Sequence, residues 1–253
     1  MKVILRKEKR LNGGKLDNCI LCLETKKLIL SHIVPKWAYY WAKQEDRGRI
    51  IGNYVSLGIQ KILQDGTKNY LLCRNCDQFL GNAENYIKIL MHGSPSQKRK
   101  YQIFEQEDKF TNLNVELIQR FIFGILLKAH HSNSPPFHNI FIESSIISQI
   151  RQRILDPLKE DKSLPIIGMR FESNKIPGID PKAIMIPYLQ NTEKGIAYFS
   201  LLLAGWEWII FFQRKFLKQS MYHCRLKMNG EMYLPVGDIT DQRFINKGNF
   251  DNS

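Results

Sequence analysis

Apolar residues return at helical spacing in four stretches of this chain, and they alternate or cluster as strands do through much of the rest. Residues 77–91 (DQFLGNAENYIKILM) put Phe79, Leu80, Ala83, Tyr86, Ile87, Leu90 and Met91 on one broad face. Residues 115–130 form an apolar helix, and residues 144–155 a further one that Pro157 stops. A shorter aromatic helix over 36–44 (KWAYYWAKQ) follows Pro35, a residue suited to a first helical turn. Strand character marks 28–34 (LILSHIV), 54–63, 69–73 (NYLLC), 165–171, 183–188 and a short piece around 222–228. Asp65-Gly66 lies between two of these strands and carries the signal of a hairpin turn.

One stretch has two readings. Residues 196–212 (IAYFSLLLAGWEWIIFF) are 17 residues with the single charge Glu207, at the short limit for a membrane-spanning helix. Ala204-Gly205 interrupts them, and aromatic and β-branched residues crowd both halves, so two buried strands around a tight turn are expected and no membrane span.

The order of elements gives an α+β fold. A polar stretch that opens with Gly93-Ser94-Pro95-Ser96 and holds Lys98, Arg99 and Lys100 divides it. The chain therefore reads as an N-terminal unit (1–92), a basic linker (93–111) and an α+β domain (112–253) of helices followed by an antiparallel sheet. Residues 1–17 read as a loose arm or first strand, and the Asn- and Gly-rich tail from Arg243 as frayed. The second domain names no reaction. A nucleic-acid clamp, a ligand sensor and a docking surface for a protein partner all fit it.

Charge adds a partner class. The formal net charge is +13 and the isoelectric point about 9.5. Residues 1–110 hold 20 Lys and Arg against 11 Asp and Glu, so the surplus gathers in the first half. An anionic partner, nucleic acid above all, is expected there. Lys36, Lys43, Arg47, Arg49, Arg74, Lys88 and the 98–100 run form the candidate phosphate-facing surface. Trp37, Tyr39, Tyr40 and Trp41 are interleaved with them, either to stack bases or to fill a core.

Five cysteines carry the strongest local signal. Cys19-x-x-Cys22 and Cys73-x-x-Cys76 are two paired turns, and Cys224 stands alone. The basic opening, residues 1–15, has no apolar stretch of leader length, so a reducing, cytoplasmic setting is expected, where such pairs bind metal. Four thiolates suit tetrahedral Zn²⁺ and leave no open coordination position, which makes this zinc structural. Catalysis then needs other residues and another metal.

Between the pairs lies Ser31-His32-Ile33-Val34-Pro35, and the second pair, Leu72-Cys73-x-x-Cys76, opens the helix of Asp77, Asn82 and Glu84. Over about residues 17–92 this resembles the HNH endonucleases of the ββα-metal fold, in particular members stapled by two Cys-x-x-Cys pairs. The resemblance implies that His32 is the general base and that Pro35 is the proline that follows it. It departs at three positions: Ser31 replaces the family's aspartate ligand, Lys68 its asparagine, and Asp77 the histidine or asparagine that closes the second knuckle. The implied activity is hydrolysis of DNA phosphodiester bonds with Mg²⁺ or Mn²⁺, in a bacterial defence or mobile-element setting. Asp77 is a hard oxygen ligand for that cation, and Asn69, one residue late, is placed to orient the His32 ring. Glu84 lies on the same helix face, about 10.5 Å along the axis, and is the weaker ligand. Each residue has a plainer role open to it: a bonded turn histidine at 32, a helix cap at 77. A non-catalytic zinc-knuckle protein that binds nucleic acid or joins a complex is the alternative. His130-His131, at a helix end, are remote candidates as ligands.

Overall fold

The computed structural model describes residues 14–42, 50–54, 59–63, 65–92, 101–103, 107–135, 137–138, 140–157, 164–171, 184–191, 197–203, 205–212 and 224–237. The expected arm (1–13), the basic positions Lys43, Arg47, Arg49 and 98–100, and the tail from Arg243 lie outside these residues.

The first unit is a small antiparallel sheet with a helix on it. Strands β1 (Lys15–Asn18), β2 (Thr25–His32) and β5 (Lys68–Cys73) pair in the order β1-β2-β5. Between β2 and β5 come α1 (Lys36–Ala42) and a separate hairpin, β3 (Ile50–Tyr54) with β4 (Ile59–Leu63). Helix α2 (Arg74–His92) leaves β5 without a break. A bulge in the β2–β5 register between Ile29 and Leu30 changes which residues face inward. Strict alternation would set Leu28, Leu30 and His32 on one face. With the bulge, Leu28 and Ser31 are buried and Leu30 is exposed.

Asp65-Gly66 is not the turn of a β4–β5 hairpin, because β4 pairs with β3 and β5 with β2. It is a bend that hands the chain from one sheet to the other. Gly66 has φ 75°, and a side chain there would collide with the Tyr39 ring, which is why a glycine occupies it.

The remaining elements are α3 (Val115–His130), α4 (Ser144–Leu155) and a seven-stranded sheet. Both helices coincide with the stretches expected from periodicity. Asn114 caps α3, its side chain accepting from the Leu117 N–H at 3.0 Å. The sheet runs β6 (Tyr101–Ile103), β7 (Glu107–Phe110), β12 (Met232–Gly237), β8 (Ile166–Phe171), β11 (Trp206–Phe211), β10 (Ala197–Leu203) and β9 (Ile184–Asn191). All its neighbours are antiparallel except β12 and β8. The 196–212 stretch is two buried strands turning at Gly205, φ 83°. No helix among the described residues is long and apolar enough to cross a membrane. Two expectations change. Part of the 93–111 linker is the hairpin β6–β7, and among the described residues of the strand sought near 222–228 there is an isolated bridge at Arg225, with β12 following it.

Helix α3 threads the core. Trp37 of α1 stacks on Phe121 with ring centroids 6.3 Å apart. Leu80 of α2 closes on Gly124, where an added Cβ would come within 3.2 Å. Tyr86 Oη accepts from the Asn114 N–H at 2.8 Å. Helices α2 and α3 are thus joined by apolar and polar contacts alike. Because Gly66 sits where only glycine fits, Gly66→Ala is expected to lower the unfolding free energy by about 1–3 kcal/mol. Urea titration checks this, and an unchanged midpoint would contradict it.

Candidate metal centre

Each cysteine pair sits where a strand must stop. Cys19 directly follows β1, and Cys22 lies in the turn to β2, where Leu23 takes a left-handed φ of 63°. The Cys19 carbonyl accepts from the Leu23 N–H at 2.9 Å, and the Cys19 N–H reaches the Glu24 carbonyl at 3.0 Å. Cys73 ends β5 and Cys76 lies in the first turn of α2. The Ile20 N–H donates to the Leu71 carbonyl at 3.0 Å and so lays the first turn against β5.

The four sulfurs all lie within 4.8 Å of one another. A tetrahedron with zinc–sulfur bonds of about 2.3 Å needs sulfurs about 3.8 Å apart, so the cluster fits one Zn²⁺. Cys19, Cys73 and Cys76 are buried and Cys22 partly so. Burial opposes ionisation of Cys19, but the backbone N–H groups of Cys73, Cys22 and Leu21 outweigh it and hold the thiol at about 7. Cys76 is driven upward, first by burial and then by the Cys73 and Cys19 sulfurs. Four crowded thiols that cannot all ionise alone are what a soft-tolerant dication resolves. The residues suit a structural Zn²⁺.

His32 ends β2, its side chain 19% exposed. Its Nε2 lies 2.9 Å from the Asp65 carbonyl oxygen and 3.4 Å from Asp65 Oδ1. Both are acceptors, so Nε2 carries the hydrogen and Nδ1 holds the lone pair. Asp65, read from the sequence only as a turn residue, is the partner of the ring. Lys68, opposite His32 in the β2–β5 register, bonds the Asp65 carboxylate. Burial, and then the Lys68 charge, lowers the His32 pKa below its ordinary value.

Asn69 does not orient His32. Its Nδ2 donates to Ser132 Oγ at 2.7 Å, and its Oδ1 accepts from Ser134 Oγ at 2.8 Å, which ties β5 to the loop after α3. The bulge turns Ser31 inward, so the residue opposite it, Asn69, faces that loop.

Asp77 lies in the first turn of α2, half-buried. Burial raises its pKa, and the nearby Glu84 charge adds to this, whereas Lys128, Ser31 and His32 favour the ionised form. The carboxyl therefore stands within electrostatic reach of all four. The Ser31 hydroxyl, buried, has no partner at full hydrogen-bonding distance among the described residues. Glu84 turns to α3, where Lys128 Nζ meets its Oε1 at 3.0 Å. His32, Asp77 and Glu84 are neighbours without converging on one point. Among the described residues, the four cysteines are the one set of three or more such ligands grouped within 4.8 Å.

Other candidates resolve into structure. Trp37 and Tyr39 belong to the core, while Tyr40 is 55% exposed with Lys36 Nζ 5.2 Å from its ring centre. The Trp41 side chain is outside the description. His130 Nδ1 accepts from the Ile142 N–H at 3.1 Å, and His131 Nδ1 donates to the Leu127 carbonyl at 2.9 Å. Lys128 was not anticipated, although a lysine seven residues after Phe121 on an apolar helix falls on the core face. Compared with protein-family models, curated proteins and solved structures, the chain finds no match.

Metal analysis of the purified chain is expected to return one zinc. Cys73→Ser should lose the metal and make residues 17–92 protease-sensitive. Zinc-free protein with an unchanged thermal transition would refute a structural role.

Proposed function

We propose that the chain is an HNH-like, divalent-metal-dependent endonuclease acting on DNA. The observation that carries this reading is the His32 ring. It is fixed at the end of β2 opposite Lys68, four residues along the strand from Leu28, the partner of Cys73; its Nε2 is committed to Asp65, and its lone-pair nitrogen is left for a proton. Asp77 stands within its electrostatic reach at the start of α2. The β2, β5 and α2 order, with a metal cluster at both turns, is consistent with a ββα-metal unit.

In this reading His32 Nδ1 takes a proton from water. The hydroxyl oxygen attacks phosphorus, and the bond from phosphorus to the leaving sugar oxygen breaks. Asp65 keeps the imidazole in the required tautomer and stabilises the imidazolium that forms, much as an orienting carboxylate does for other catalytic histidines. Lys68 keeps the Asp65 carboxyl ionised. The catalytic cation, Mg²⁺ or Mn²⁺, would be held by Asp77. Such ions take one or two carboxylates and fill the remaining positions with water and phosphate oxygens, so a single half-buried carboxylate suits them. The cation would neutralise charge on the phosphate and leaving oxygen. The basic surplus of the first half supports an electrostatic grip on the backbone.

A non-catalytic zinc-knuckle protein is the second reading, favoured by one observation: Glu84 is already paired with Lys128 and gives the cation no second ligand.

Plasmid cleavage in Mn²⁺ separates the two. His32→Ala should lower the rate by roughly 10²–10⁴ while leaving zinc and fold intact. Asp77→Ala should regain activity as Mn²⁺ is raised, and the His32 variant should not. A wild type that cuts no better than His32→Ala overturns the nuclease reading. The acid limb supplies a second check. A general base works when neutral, and the lowered His32 pKa keeps the ring neutral to a lower pH than usual. The acid limb of kcat/KM should therefore fall below the ordinary histidine value of about 6.5, and Lys68→Met should move it upward.

A further inference from the structure

Lys128 is an anomaly on α3. Its side chain is 3% exposed, among the buried residues Phe121, Gly124, Ile125, Leu127 and Ala129 of the same helix. Lysine is almost never buried unless paired, and a buried ion pair seldom stabilises a fold more than an apolar pair of equal volume. As a staple between α2 and α3 it is also superfluous. Leu80 packs on Gly124 and Tyr86 bonds the Asn114 backbone, which already join the two helices. What Lys128 does have is a place at the candidate site. Its ammonium bonds Glu84 at 3.0 Å, two helical turns along the α2 face from Asp77. Three to six residues further along the chain, His131, Ser132 and Ser134 build the turn that holds Asn69, the β5 neighbour of Ser31. The C-terminal end of α3 therefore packs on the two elements, α2 and β5, that flank the candidate residues.

We propose that Lys128 is a positioning residue that neutralises Glu84 and so sets the charge, and with it the cation affinity, of the Asp77 site. This rests on the nuclease reading. With Lys128 in place, Asp77 is the one carboxylate of the pair with charge to offer a cation, and the cation is held next to His32 and not drawn along α2 toward Glu84. The first unit alone lacks this charge balance, because the lysine comes from α3.

The test is Mn²⁺ binding to the full, zinc-loaded chain, followed by the electron paramagnetic resonance signal of free Mn²⁺, with plasmid cleavage in parallel. Lys128→Met frees a second carboxylate and should tighten Mn²⁺ binding roughly tenfold, the scale of one unit charge acting on a dication from about 10 Å at an effective dielectric of about 45, between that of protein and water. Its cleavage at saturating Mn²⁺ should slow. Glu84→Gln leaves an uncompensated ammonium and should weaken binding by a similar factor. The double variant should return to near the wild-type affinity. A purely structural pair moves thermal stability and leaves Mn²⁺ affinity alone in every folded variant. That outcome, with a wild type that cuts and a His32→Ala that does not, overturns this inference and leaves the nuclease reading standing. If Lys128→Met does not fold, Glu84→Gln and the double variant decide the matter by the same comparison. A wild type that neither binds Mn²⁺ nor cuts overturns both.

Discussion

The sulfurs of Cys19, Cys22, Cys73 and Cys76 join two chain segments separated by 50 residues, and the geometry of the first unit follows from that junction. One pair closes the β1–β2 turn and the other closes the β5–α2 junction. With that end of the β2–β5 pair clamped, the two strands have little freedom to slip past one another. A slip of one residue would exchange the two faces of the sheet. It would turn His32 away from Asp65 and carry α2, with Asp77, out of line. A Zn²⁺ held by all four sulfurs would have no open position for a substrate, yet it would set the register on which the candidate chemistry depends. The cluster also concentrates thiols that resist ionising together, so binding of a dication there would be coupled to folding.

A second constraint comes from α3. Its sixteen residues run through the core, touching α1 through Trp37 and Phe121 and α2 through Gly124 and Leu80. Arg151 of α4 reaches the Ile20 carbonyl of the first knuckle at 2.9 Å. The four-cysteine unit is thus buttressed by the elements that follow it, and polar groups on α3 and its terminal turn, Lys128, Ser132 and Ser134, bond to residues of the first unit. That arrangement sets residues beyond 111 against the elements that carry the candidate residues, although no motif within them names a reaction.

How much of this could be read from the residues depended on the range of the interaction. Helices α3 and α4 were legible to the residue, because their apolar spacing and Pro157 are local signals. The paired cysteines were legible because thiolate chemistry leaves few alternatives. The buried strands β10 and β11 were separable from a membrane span by the Gly205 turn. Hairpin β6–β7 was not legible, since the charges of Glu105, Glu107, Asp108 and Lys109 make the stretch look like a linker. The partner of His32 was missed for a topological reason. Asp65-Gly66 looks like a hairpin turn, and only the pairing of β4 with β3 reveals it as a bend that delivers Asp65 to a different sheet. Asn69 was misassigned because the bulge at Ile29 and Leu30, invisible in the sequence, changes which residues look inward.

The place of β12 in the large sheet has a bearing on how the protein is made. It lies between β7 and β8, antiparallel to one and parallel to the other, and it is the strand through which β6–β7 joins the rest. A ribosome delivers β6 and β7 early and Met232–Gly237 more than a hundred residues later. At typical elongation rates the gap is on the order of ten seconds. Through that interval the inner edge of β7 presents unpaired backbone groups, a surface on which nascent chains of neighbouring ribosomes can pair wrongly. The charges on Glu107, Asp108 and Lys109, which concealed the strand in the sequence, are suited to keeping that edge apart from its copies until its own partner arrives.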